Sequence, residues 1–189
     1  MQKILKFIFF IGVILSFAIL IGSVVMFFAS PERFNAVKGN MDWSINYKLN
    51  NGPFFFINVP YKIIDHLNSM WSAKYAAMTS LFSMFISICL PLYGIKQVLN
   101  ILKSTANDIS PFIMDNVRSL KRLAYTIIIY SAALDLLRSL LCSIFVTKIY
   151  PIDLSNIHLS GVLIGGLIFV IADIFKYGVF LQKEFDTTL

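Results

Sequence analysis

Charged residues are scarce in this sequence. Only 14% of its 189 residues are Asp, Glu, Lys or Arg, whereas 58% are hydrophobic. A soluble globular domain has about 25% charged and 45–50% apolar residues, so the composition excludes an ordinary soluble domain and indicates a membrane protein. The net charge of +6 therefore does not point to nucleic acid. In a membrane protein, Lys and Arg beside the spans set the orientation.

The residues on which most enzymes and metal sites depend are equally few. The two histidines, His66 and His158, have no Cys or carboxylate neighbours at metal-ligand spacing. Cys89 and Cys142 both lie in apolar runs, where a thiol is typically a small packed side chain. The sequence has no glycine-rich phosphate loop, no H-E-x-x-H and no hydrolase nucleophile motif. We therefore expect a protein that is not an enzyme and that binds no cofactor or metal.

Four apolar runs are each long enough to cross a membrane as a helix, which takes about 20 residues. They predict spans at about 4–29, 73–95, 123–146 and 159–181, within a single membrane domain of residues 1–189. The first run is longer than the apolar core of a signal peptide and no A-x-A site follows it, so we expect it to be retained. The predicted fold class is an all-α integral membrane protein with four transmembrane helices.

A long polar segment, residues 30–72, separates the first two spans. Residues 43–49 alternate between apolar and polar, residues 50–53 have turn chemistry, and residues 54–59 have the composition of a second strand. This pattern predicts a small β-hairpin outside the membrane.

The aromatic side of this hairpin, with Trp43, Tyr47 and Phe55, needs a surface to rest on, because an isolated two-stranded hairpin is only marginally stable. Apolar residues recur at helical spacing over residues 63–71, which predicts an amphipathic helix leading into the second span.

The distribution of Lys and Arg favours an orientation with both termini in the cytoplasm. With the amino terminus inside, nine of the 16 Lys and Arg residues fall on the inner side, close to helix ends. They are Lys3, Lys6, Lys96, Lys103, Arg118, Lys121, Arg122, Lys176 and Lys183. We therefore predict a multi-pass protein of the inner membrane, with residues 96–122 as a cytoplasmic loop.

A helix start is predicted within this loop. Ser110 can cap the first turn, Pro111 suits the first helical position, and Asp115 places a negative charge near the helix amino terminus. Three basic residues then follow just before the third span: Arg118, Lys121 and Arg122. Such residues contact lipid headgroups, or they form a docking surface for a protein.

The third span contains two charged residues, Asp135 and Arg138, three positions apart and on one helix face. Each costs about 2.5–3.5 kcal/mol near mid-helix, so we expect both to face the bundle interior. Two hypotheses explain them. The first is a site for an ion or a proton, and the second, which we favour, is an internal ion pair that fixes the helix register.

The fourth span contains Asp173 and Lys176. Asp173 follows Gly166 by seven residues, so we expect it to face a neighbouring helix, and Lys96 or Arg122 are its predicted alternative partners. Lys176 can extend toward the interface. Residues 161–165 (GVLIG) have the small-residue spacing that favours close helix contact.

Two stretches resemble a known bacterial family. They are Pro111-Phe112-x-x-x-Asn116-Val117-x-x-Leu120-x-x-Leu123 and Asp173-Ile174-Phe175-x-x-Gly178-x-x-Leu181-x-x-Glu184-x-Asp186-x-Thr188-Leu189. Both are similar to segments of the domain-of-unknown-function family 2975 (DUF2975), and Ser110 and Lys176 stand where that family often has Asn and Arg. The resemblance covers residues 110–189. It implies a four-span membrane protein with no assigned activity, often encoded beside a small helix-turn-helix protein.

The leading hypothesis is a non-enzymatic membrane sensor, or a regulatory partner of a cytoplasmic protein such as a helix-turn-helix protein, that does not itself contact nucleic acid. The candidate docking or headgroup contacts are Pro111, Phe112, Asn116, Arg118, Lys121, Arg122, Glu184 and Asp186. One alternative is a small transporter or ion-conducting homo-oligomer that uses Asp135, Arg138 and Asp173. The other is a structural or immunity-type membrane protein.

Overall fold

The computed structural model describes residues 2–40, 42–49, 52–60, 72–107, 110–147 and 158–188. Its four long helices are α1 (Gln2–Phe28), α2 (Ala73–Asn107), α3 (Met114–Cys142) and α4 (Leu159–Thr188). All four are long and apolar enough to cross a membrane, which confirms the predicted helices. Large apolar side chains are exposed along α1, as expected of a helix whose surroundings are lipid.

The helices extend beyond the predicted spans. Helix α2 continues through Pro91 and past the predicted span end to Asn107, because residues 96–107 alternate polar and apolar side chains at helical spacing. Helix α4 likewise reaches Thr188. The segment predicted as a loop, residues 96–122, is therefore largely helical. At the far end of α3, residues Ser143–Thr147 form a π-helical turn.

The start of α3 differs from the prediction. The helix begins at Met114, and the Ile113 carbonyl accepts hydrogen bonds from the Asn116 and Val117 N–H groups at 3.1 and 3.3 Å. Ser110 does not cap it: its Oγ instead accepts a hydrogen bond from the Phe112 N–H at 3.2 Å, within the preceding turn. The predicted cap was wrong because the Ser110 hydroxyl closes this turn instead.

The predicted hairpin is part of a three-stranded antiparallel sheet. Its strands are β1 (Phe34–Lys38), β2 (Asp42–Leu49) and β3 (Gly52–Pro60), in the order β1-β2-β3. Strand β1 was not predicted, because its five residues give too short an alternation to recognise. Ile45 and Tyr47 lie two positions apart and are buried, and the Tyr47 ring lies 5.1 Å from that of Phe34.

The chain divides into two compact units. Unit 1 consists of Met1–Leu15, Ser87–Leu134 and Ile157–Leu189, and unit 2 consists of Ser16–Ile86 and Asp135–Asn156. The predicted amphipathic helix of residues 63–71 and most of the link between the third and fourth spans lie outside the described residues.

In unit 1, α3 and α4 pack through small residues. Gly161 lies against the Ser131 side chain, and Gly165 lies against Ile128, with the Ala124 carbonyl oxygen 3.1 Å from where a Gly165 Cβ would stand. The predicted close contact at residues 161–165 is thus confirmed, since only small side chains permit it.

The neighbouring face of α4 is different. A Cβ at Gly166 would meet nothing within 4 Å. The contact face instead continues from Gly165 to Ala172, which is fully buried. Gly166 therefore does not mark the contact face, although Asp173 does face a neighbouring helix as expected, because it pairs with Lys121 of α3.

In unit 2, Lys74 closes the end of α1. Its Nζ donates hydrogen bonds to the carbonyl oxygens of Phe27 and Ala29 at 2.9 and 2.7 Å. These groups have no partner within the helix, and a cation there also interacts favourably with the helix dipole. Unit 2 also contains an apolar cavity of about 470 Å³, lined by side chains such as Phe27, Met78 and Phe145.

Candidate functional site

The two stretches that resemble the DUF2975 family pack against each other in unit 1. The Phe112 ring lies 5.2 Å from the Phe175 ring, centroid to centroid. It also covers Gly178, where a Cβ would stand 2.5 Å from Phe112 Cδ1. Ser110 Oγ donates a hydrogen bond of 2.6 Å to Gln182 Oε1. We call these five residues the Phe112 cluster, and it ties the turn before α3 to the last part of α4.

An ion pair connects the same two helices nearby. Lys121 Nζ and Asp173 Oδ1 are 3.0 Å apart, and the two side chains are 39% and 66% exposed. The partner of Asp173 is therefore neither Lys96 nor Arg122, the two predicted candidates. Sequence position alone could not decide between neighbouring basic residues, because the choice depends on how α3 is rotated relative to α4. An exposed pair of this kind adds little stability.

Between the end of α2 and the start of α3 lies a cavity of about 430 Å³, here called the polar cavity. Every residue that lines it is polar or charged. From α2 these are Asn100, Lys103 and Ser104, and from α3 they are Asp115, Asn116, Arg118, Ser119 and Arg122. The α2 residues were not among the predicted site residues. The available signal was the amphipathic pattern of residues 96–107, which continues the second span.

Asn116 connects the walls of the polar cavity. It is 1% exposed, and its Nδ2 donates a hydrogen bond of 2.9 Å to the Pro111 carbonyl oxygen. Its Oδ1 is hydrogen-bonded to the Ser104 hydroxyl of α2. Asn116 was predicted as a docking or headgroup contact. Because it is buried, it instead holds the turn before α3 against α2.

A second cavity in unit 1, here called the apolar cavity, has a volume of about 280 Å³. Its lining includes Leu5 of α1, Ile95 of α2 and Leu123 and Ile127 of α3. Arg122, in the polar cavity, and Leu123, in the apolar one, are consecutive residues. The change from a polar to an apolar lining therefore occurs between them on α3.

The charged residues predicted within the spans are not gathered into one site. Asp135 and Arg138 belong to unit 2, and both are half-buried. Asp173, by contrast, belongs to unit 1, where it pairs with Lys121. The hypothesis of an internal ion pair that fixes the helix register at Asp135 and Arg138 therefore stays a prediction.

The other predicted contacts lie on or near the surface. Lys176 and Glu184 are exposed, Phe112 is 38% exposed, and the side chain of Asp186 lies outside the described part. Within the described residues, no three His, Cys, Asp or Glu side chains are grouped so that they could hold a metal ion. Cys142 is buried and Cys89 half-buried, and both are free thiols.

Four helices with the length and composition of membrane spans, joined to a small sheet, define the chain as a multi-pass membrane protein. The chain belongs to the family described as "Protein of unknown function (DUF2975)", whose model matches residues 57–189. The match confirms the resemblance and extends it upstream to include α2. No curated protein and no solved structure matches the chain.

Proposed function

We propose that this protein is a non-enzymatic membrane regulator that docks a cytoplasmic protein on the surface around the Phe112 cluster. The observation that supports it is the cluster itself. Two stretches that are far apart in the sequence, both carrying the family resemblance, are held together by the Phe112–Phe175 ring contact and the Ser110–Gln182 hydrogen bond, whose partners are 72 positions apart.

The cluster has the properties of a docking surface. Phe112 keeps 38% of its surface exposed while its ring rests on Gly178, so an aromatic side chain is held in a defined position at the protein surface. Aromatic side chains of this kind often anchor protein–protein interfaces. Arg118, Lys176 and Glu184 are exposed in the same unit and provide charges of both signs. A partner with a small apolar pocket and a mixed-charge rim would fit this surface.

The proposal places the Phe112 cluster in the cytoplasm, because the basic residues of α2 and α3 next to the apolar runs favour that side. With both termini inside, the three-stranded sheet lies outside the inner membrane. We propose that the sheet segment is the part that responds to conditions in the envelope.

The transport alternative has less support. The described cavities are lined by residues other than Asp135, Arg138 and Asp173, and Asp173 is occupied by Lys121. A conducting path needs polar groups along a water-filled cavity, and the three charged residues of the transport hypothesis line none of these cavities.

Affinity capture with two glycine variants tests the docking proposal. Gly178→Ala places a Cβ 2.5 Å from the Phe112 ring and must displace it, whereas Gly166→Ala on the same helix meets open space. From membranes of the native host, the wild-type chain and Gly166→Ala should recover the same cytoplasmic protein. Gly178→Ala should recover several-fold less of it at equal amounts of folded bait.

Two results would count against docking at this surface. One is equal recovery by Gly178→Ala and the wild-type chain. The other is the absence of any specific partner under mild solubilisation and after cross-linking, which would favour the structural or immunity-type alternative.

A further inference from the structure

Three cationic side chains line the polar cavity, against a single carboxylate. The cations are Lys103 of α2 and Arg118 and Arg122 of α3, and the carboxylate is Asp115. In a partly enclosed space of about 430 Å³, an excess of positive charge favours a bound anion, because the reduced dielectric strengthens each interaction.

The carboxylate does not neutralise this excess. Asp115 Oδ1 pairs with Arg118 Nη1 at 3.0 Å, along one turn of α3, and both side chains are largely exposed. Neither Lys103 nor Arg122 forms an ion pair with any residue that the structure describes. Two cations therefore remain available to a ligand.

Neutral hydrogen-bond donors complete the lining. Ser119 is 7% exposed overall and lines the cavity. Its hydroxyl is one of the neutral groups in the lining that can donate a hydrogen bond to an oxygen atom of a ligand. The Asn116–Ser104 hydrogen bond joins α2 to α3 and fixes the two walls before any ligand binds.

This set of donors matches the chemistry of phosphate. Guanidinium and ammonium groups with hydroxyl and amide donors surround several acceptor oxygens at once, as a tetrahedral oxyanion requires. On α3, Arg122 lines the polar cavity and the next residue, Leu123, lines the apolar cavity. A ligand with a phosphate and acyl chains would satisfy both environments.

We propose that the polar cavity binds a phosphate oxyanion through Lys103, Arg122 and Ser119. An anionic lipid headgroup and a soluble phosphate share this chemistry, and the experiment distinguishes them. Basic pockets between membrane helices bind anionic headgroups in other proteins. The inference does not depend on a docked protein, and it concerns residues other than those of the Phe112 cluster.

The test uses the purified full-length chain in a non-ionic detergent. Three probes are added separately: cardiolipin, phosphatidylcholine and inorganic phosphate. Native mass spectrometry measures retained lipid, and the thermal unfolding midpoint measures stabilisation by each probe. We expect cardiolipin to bind in preference to phosphatidylcholine. The Lys103→Gln/Arg122→Gln variant should bind cardiolipin roughly 10- to 30-fold more weakly, because two basic side chains are lost.

A matched variant controls for net charge. Lys96→Gln/Lys176→Gln removes the same charge from exposed positions of α2 and α4 that do not line the polar cavity. It should change the affinity less than about threefold. Stabilisation by inorganic phosphate that needs Lys103 and Arg122, without lipid binding, would support the same site with a soluble ligand. Equal weakening in the two double variants, or unchanged binding in Lys103→Gln/Arg122→Gln, would overturn the proposal.

Discussion

Unit 1 is held together in two different ways along its helices. Around the apolar cavity, Gly12 packs on Leu92, and Gly165 packs on Ile128. Around the polar cavity and the Phe112 cluster, hydrogen bonds and the Lys121–Asp173 ion pair add to the packing of Phe112 on Phe175 and Gly178.

The difference follows from the surroundings of each part. Lipid tails are as apolar as the side chains themselves, so the hydrophobic effect does not drive one membrane helix onto another. Helices in lipid associate instead through close packing of small residues. At the membrane surface, water and headgroups allow charged side chains to face one another. The boundary falls between Val98 and Asn100 on α2 and between Arg122 and Leu123 on α3. Three pairs of substitutions, in order of decreasing effect, test this division.

The largest effect is expected from a carboxylate in the apolar cavity. Ile127→Asp should lower the free energy of unfolding by about 3 kcal/mol, because an Asp near the middle of a span costs about 2.5–3.5 kcal/mol. Asn100→Asp, which places the same carboxylate in the polar cavity, should change it by less than about 1 kcal/mol. Denaturant titration in mixed micelles measures both. Equal losses would remove the distinction between the two cavities.

A smaller effect is expected from adding one methyl group to α4. Gly165→Ala should destabilise the protein by about 1–3 kcal/mol, because its Cβ meets Ile128 and the fixed Ala124 carbonyl oxygen. Gly166→Ala should be neutral or stabilising by up to about 1 kcal/mol, since alanine favours a helix and the space is open. Thermal unfolding in detergent compares them. A greater loss at Gly166 would mean that the other face of α4 makes the contact.

The smallest effect is expected at the Lys121–Asp173 pair. Both side chains are more than a third exposed, so solvent screens the attraction. A double-mutant cycle with Lys121→Gln and Asp173→Asn should give a coupling energy below about 1 kcal/mol that decreases with added salt. A coupling of several kcal/mol that is insensitive to salt would show that this pair is buried in the membrane rather than at its surface.

The sequence predicts the helices of this protein well because an apolar run of more than 20 residues has few other stable structures. It does not predict their polar continuations. Lys96, Asn100 and Lys103 end the apolar run of α2, and only their spacing among Val98, Ile101 and Leu102 shows that the helix continues.

Contacts between helices are harder to predict than the helices themselves. Gly165 and Gly166 are adjacent and identical, yet one is packed and the other is open. The difference is a rotation of about 100° per residue around the helix axis. The rotation of α3 about its axis, which the sequence does not give, likewise decides that Lys121 rather than Arg122 pairs with Asp173.

Cysteine accessibility tests most directly whether the polar part of unit 1 lies at the cytoplasmic surface. Single cysteines replace Arg118, Ile129 and Asn35, all exposed in the structure, and a membrane-impermeant maleimide is applied to intact spheroplasts and to inverted vesicles. The wild-type chain, with Cys89 and Cys142 in apolar helices, gives the background.

We predict that Arg118→Cys is labelled only in inverted vesicles, Asn35→Cys only in spheroplasts, and Ile129→Cys in neither. Labelling of Arg118→Cys from the outer side, or of Ile129→Cys from either side, would contradict the account.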